Sequence, residues 1–128
     1  MTIPTIAECF AAAILLVTGL SHVLHPRLWA QLFRDLFARP YAGLWMGTLT
    51  LLFGLPILFA HNAWTRDPRV IATVIGWGWS FKGTLYLLAP ALPLKVAGPH
   101  IERPAHFAWA GAVGVVLGAL LVVGIVRS

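Results

Sequence analysis

Lys82 has the most chemistry to explain, because it sits inside the apolar run VIATVIGWGWSFKGTLYLLAP of residues 70–90. A run of that length crosses ~30 Å of hydrocarbon, and a charge near mid-membrane is costly unless protein or water surrounds it. On a helix advancing about 100° per residue, Thr73, Gly76, Ser80 and Thr84 make a stripe of small residues. Lys82 falls on the opposite side with Ile71, Ile75, Gly78, Trp79, Tyr86 and Ala89. Neither face suits lipid, so protein is expected on both sides: the lysine points into the chain and the small stripe meets another copy, or the reverse. At about 1.5 Å per residue from the Asp67 side, Lys82 lies ~18 Å deep, level with Thr18 and Thr48, whereas Glu8 lies only ~5 Å deep. Lys82 is therefore expected to lack a carboxylate partner and to be solvated by Thr18, Thr48 and the rings of Trp79 and Tyr86. An unpaired cation of this kind can hold a small anion or serve a coupled proton step. The plainer alternative is a lysine bonded to helix carbonyls or snorkelling toward the nearer surface.

Histidines are the next residues able to do chemistry. His22, His25, His100 and His106 fall on one side of the membrane, with His22 and His106 at similar depth. Two imidazoles from different helices can ligate haem or a metal, but no cysteine or carboxylate cluster reinforces them, so no cofactor or metal is expected. His61 stands on the other side with Asn62 and Trp64 and reads as an interfacial residue. Glu8, about one turn inside, suits the positive end of a helix dipole. A single cysteine, Cys9, excludes an intrachain disulfide and reads as packing. There is no Gly-rich phosphate loop, no placeable Ser/His/Asp arrangement, no pair of carboxylates and no zincin motif, which points away from an enzyme.

The elements that position these residues follow from composition. At 59% hydrophobic and 10% charged, the chain of 128 residues fits a membrane class, as one domain. Four apolar runs, about residues 5–24, 41–60, 70–89 and 106–126, are each long enough to span a bilayer. Pro26, Pro40, Pro68, Pro90 and Pro104 mark their boundaries, Asp67 reads as the N-cap of the third, and Pro56 is expected to kink the second. No cleavable signal peptide is expected, since no basic residue precedes the first run. Between the first two spans, residues 27–38 place Leu28, Trp29, Leu32, Phe33, Leu36 and Phe37 on one side and Arg27, Gln31, Arg34 and Asp35 on the other. That is an amphipathic helix in the membrane surface, with Arg27, Trp29, Phe33, Arg34 and Phe37 as its lipid contacts. The predicted fold is thus all-α: a polytopic bundle of four transmembrane helices with an interfacial helix after the first.

Partners follow from the same pattern. The net charge of +5 is spread through the loops, so anionic lipid headgroups rather than nucleic acid are expected to meet it. Ala110, Gly114 and Gly118, and Gly43 with Gly47, are small-residue patterns suited to close helix contact and to a homo-oligomer. Arg27, Arg34, Arg39, Lys95 and Arg103 lie on one side and Arg66, Arg69 and Arg127 on the other, which favours both termini outside; insertion in both orientations stays open.

The run His61, Asn62, Trp64, Asp67, Gly76, Trp77, Lys82, Gly83 and Pro90 resembles a signature of small bacterial four-helix integral membrane proteins, similar in topology to DoxX-like proteins. The resemblance covers about a quarter of the chain. It implies four spans and a bacterial inner membrane, and no transferable activity. Three functions remain open: a small oligomeric channel or transporter centred on Lys82, a non-catalytic accessory or scaffold subunit of a larger complex, and a haem or quinone protein centred on His22 and His106.

Overall fold

The computed structural model describes residues 1–92, 95 and 103–128. Among these residues the chain is all-α, with five helices: α1 (Ile3–Leu24), α2 (Pro26–Phe37), α3 (Ala42–Ala60), α4 (Val70–Leu88) and α5 (Pro104–Arg127). Prolines open α1, α2 and α5 at their first or second position, where the missing N–H costs nothing. Thr2 caps α1 by accepting the Thr5 N–H. The α3 helix runs through Pro56 without a break.

Asp67 does not cap α4 as expected. The residue before the helix is Arg69, and Asp67 Oδ1 instead accepts the Arg69 N–H at 2.8 Å. The carboxylate closes the preceding turn, because Pro68 holds the chain one step short of the helix.

Three helices, α1, α3 and α5, are long and apolar enough to cross a membrane. The α4 helix is not among them: Lys82, Ser80, Thr84, Tyr86 and its glycines and tryptophans dilute a run that otherwise has the length of a span.

Packing divides the helices into two close pairs, α3 with α4 and α1 with α5. Glycine explains both approaches. A Cβ on Gly83 would lie 2.8 Å from the Leu51 backbone nitrogen, and one on Gly19 would lie 2.8 Å from the Gly111 carbonyl oxygen. Backbones at that distance exclude any side chain and gain dispersion contacts instead. The small stripe of α4, with Thr73, Gly76 and Ser80 buried, is therefore covered by α3 of the same chain. Gly118 likewise meets Leu16, and Gly43 and Gly47 meet α4 and its C-terminal end at Pro90.

The two pairs are joined at both ends. At the Asp67 end, Ala11, Ala12, Ile57, Ala72 and Leu121 form one core, against which Ile71, Ile75, Trp79 and Ile125 pack. At the other end α2 bridges them. Its Phe33 stacks on Phe107 of α5 with centroids 5.4 Å apart, and its Phe37 is buried against Ala42 and Met46 of α3. Trp29, Phe33 and Phe37 thus turn inward, against the expectation that they face lipid; Arg27, Leu28, Gln31, Leu32, Arg34 and Asp35 are the exposed side chains of α2. A helix bound at a chain junction buries its widest rings where other rings are available.

Candidate functional site

The most completely formed polar cluster lies where α1, α3 and α4 meet, a few residues inside the Asp67 end. Glu8 is carried by the second turn of α1, His61 closes the C-terminus of α3, and Thr73 belongs to the first turn of α4. All are buried, at 4%, 3% and 0% exposure. His61 Nε2 lies 2.8 Å from Glu8 Oε1, and His61 Nδ1 lies 2.7 Å from Thr73 Oγ1. Thr73 Oγ1 also accepts the Ala63 N–H at 3.1 Å and lies 2.8 Å from the Ala63 carbonyl oxygen. A buried ion pair or its neutral equivalent persists only when its remaining hydrogen-bonding groups are met, and here the Ala63 backbone does that.

This arrangement overturns the reading of His61 as a lone interfacial residue. Its neighbours Asn62 and Trp64 are exposed as expected, with Asn62 Oδ1 accepting from Trp77 Nε1 at 3.1 Å, but the imidazole itself turns inward. It also supplies a hydroxyl, an imidazole and a carboxylate in line, which the sequence reading did not find. The hydroxyl is no nucleophile: Thr73 is fully buried and its oxygen is held by Ala63, so no substrate carbonyl reaches it. One signal in the sequence pointed to the cluster. In an up-and-down arrangement, residue 8 of the first run, the end of the second and the start of the third share one depth.

Outside this core, Asp67 and Arg69 form an ion pair with Arg69 Nη2 at 2.8 Å from Asp67 Oδ2. The side-chain and backbone hydrogen bonds from Arg69 hold the Asp67 carboxyl down at about 2. The Arg69 guanidinium is raised in turn, chiefly by Asp67 and at longer range by Glu8.

Lys82 has a different setting. It lies on the same face of α4 as Ile75 and Trp79, which pack against the core shared with α1 and α5. The small stripe of α4 therefore meets α3, and the lysine face meets the shared core at Ile75 and Trp79. Lys82 itself is exposed, its Nζ lies 5.6 Å from the ring centroid of buried Tyr86, and Gly78 one turn before it has open space at its Cβ position. Thr18 continues the α1 face that carries Ala11 and Leu15 and is exposed at the level of Lys82; its hydroxyl donates to the Ile14 carbonyl. Thr48 lies elsewhere. It shares the outer face of α3 with Trp45, Leu52 and Phe59, all exposed. Trp79 is half-buried against the core rather than free to cover the ammonium.

On the α2 side, the His22 ring stacks on Trp29 at 4.1 Å and lies 6.0 Å from Phe107. Its Nδ1 donates to the Thr18 carbonyl at 2.6 Å. His106 is half-buried, and His100 lies outside the described residues. Among the described residues no three His, Cys, Asp or Glu side chains are grouped to hold a metal ion.

Fold and site together define a helical protein with, among the described residues, three helices able to cross a membrane, a buried carboxylate–imidazole–hydroxyl cluster at one end, and an exposed lysine on α4. No family model, curated protein or solved structure matches the chain.

Proposed function

We propose that this protein is a small channel or transporter of the bacterial inner membrane in which Lys82 presents a positive site to a small anion or a coupled proton. In this reading α4 is the fourth span, made tolerable in a bilayer by protein on two sides, and the topology is that of DoxX-like proteins with both termini outside. The observation that supports this is the setting of Lys82: on the α4 face that carries Ile75 and Trp79, yet exposed, with Tyr86 beside it. A cation kept exposed there would meet an anion without the anion crossing hydrocarbon bare. Its glycine faces are used within the chain, so a homo-oligomer would form through the exposed apolar sides of α1, α3 and α5. The exposed Arg27 and Arg34 would meet anionic headgroups on the α2 side.

Reconstitution into proteoliposomes tests the reading. Flux of small anions or protons is expected from the native protein and is expected to vanish in Lys82→Met at equal incorporation. Flux that persists in the variant removes Lys82 from the path. Absence of flux from both proteins favours an accessory subunit that docks to a larger complex.

A further inference from the structure

We propose that Glu8, His61 and Thr73 form a second site, separate from Lys82, that binds and releases one proton at the edge of the membrane. Hydrogen-bond accounting carries this. A hydroxyl has one proton to donate, and that of Thr73 lies closest to the Ala63 carbonyl at 2.8 Å and His61 Nδ1 at 2.7 Å, with the His61 carbonyl oxygen a longer third acceptor at 3.4 Å. When the hydroxyl donates to the Ala63 carbonyl, the contact with His61 Nδ1 requires a proton on that nitrogen, while a further proton is shared between Nε2 and Glu8. When the hydroxyl turns to Nδ1, that nitrogen carries no proton, and the shared proton stays between Nε2 and Glu8. The two arrangements differ by the Nδ1 proton, which passes to water.

Both arrangements keep the two imidazole contacts made. Among hydrogen bonds, release costs only that from Thr73 to the Ala63 carbonyl, and Ala63 lies in the exposed stretch 62–66, where water can replace the donor; it also leaves the Glu8 carboxylate without an opposing imidazolium. A buried pair whose Nδ1 met a carbonyl in place of this hydroxyl would leave Nδ1 unpartnered on losing its proton, and that is costly. Thr73 therefore gives the pair a second satisfied state.

Few charges act on the pair from the packed elements. Just before α4 it meets Arg69, itself paired with Asp67; α3 carries no ionisable residue, and α1 adds the adjacent Cys9, its His22 lying at the far end of the helix. The loop has the exposed Arg66, and α5 the exposed Arg127. Arg69 favours the carboxylate that remains after release. Because this cluster sits where the helix pairs are joined, proton binding is built into the joint rather than into an exposed loop.

The test uses the full chain in lipid nanodiscs with 15N-labelled histidine, and follows the His61 ring nitrogens by NMR from about pH 5 to 8, where imidazole commonly titrates. The His61 signals are identified by their absence from His61→Asn. Nδ1 is expected to pass from protonated to unprotonated as pH rises, with one proton released per chain. An Nδ1 that stays in one state throughout overturns the proposal.

Thr73→Ser is expected to titrate as the native protein does. Thr73→Val removes the partner of a protonated Nδ1, a loss larger for a charged donor than for a neutral acceptor, so it is expected to bind the proton roughly tenfold more weakly, about one pH unit lower. Native titration in Thr73→Val overturns the role of the hydroxyl. Lys82→Met should leave His61 titration unchanged, so failure of the Lys82 reading is distinguishable from failure of this one.

Discussion

Glu8 and Lys82 are both ionisable residues on apolar helices, and the chain treats them in opposite ways. Glu8 is buried against His61, while Lys82 stays exposed beside Tyr86. Asp67 shows how a third charge is managed at the surface, with Arg69 bonding it from backbone and side chain. Its carboxyl is held at about 2 against an ordinary 3.8. A depressed carboxyl contributes stability that is full above the unfolded value and is lost as pH falls through the folded one. Thermal denaturation should therefore show the native protein more stable than Asp67→Asn above about pH 4, with the gap closing between about pH 4 and 2. A gap that is independent of pH would show that the ion pair is not its source. Lys82 was legible in the sequence because a lone lysine in an apolar run stands out by type. The His61 cluster was not, since its members are 53 and 12 residues apart, and no local pattern records which helix ends meet.

At the scale of elements, helix ends were legible to within a few residues because prolines and changes of polarity mark them. The expected runs 5–24, 41–60 and 106–126 and the amphipathic stretch 27–38 became α1, α3, α5 and α2. Which small-residue face meets which helix was not legible, as a glycine stripe suits a neighbour in the same chain or in another copy equally well. Gly83 decides the case for α4. Its missing Cβ admits the Leu51 nitrogen and the Gly47 carbonyl of α3, whereas nothing lies within 4 Å of the Cβ position on Gly78. Gly83→Val should force α3 and α4 apart and destabilise the protein by about 1–3 kcal/mol, the usual range for overpacking a tight contact. Gly78→Ala should cost nothing, since it meets open space and favours helix. Denaturation in mixed detergent micelles compares the two, and equal losses would refute the α3–α4 packing.

The whole molecule depends on α4. Three helices have the length and apolarity of spans on their own, while α4 is covered in part by its neighbours: Thr73, Gly76 and Ser80 are buried on the side of α3, and Ile75 and Trp79 pack against the shared core. Composition read one helix at a time therefore understates α4, because hydropathy counts every side chain as if lipid surrounded it, and here two faces meet protein. The two readings of α4 differ in a consequence for the entire chain. If α4 crosses the bilayer, Thr2 and Ser128 lie on one side and Arg34 of α2 on the other. If it stays on one side, three crossings put the termini on opposite sides. Single cysteines placed by Thr2→Cys, Arg34→Cys or Ser128→Cys, each in a Cys9→Ala background, can be probed in intact cells with a membrane-impermeant maleimide. The expected outcome is equal labelling at residues 2 and 128 and none at 34 until the membrane is opened. Labelling at residue 2 but not 128, or the reverse, would mean that α4 does not cross, and the proposed channel at Lys82 would then have no second mouth.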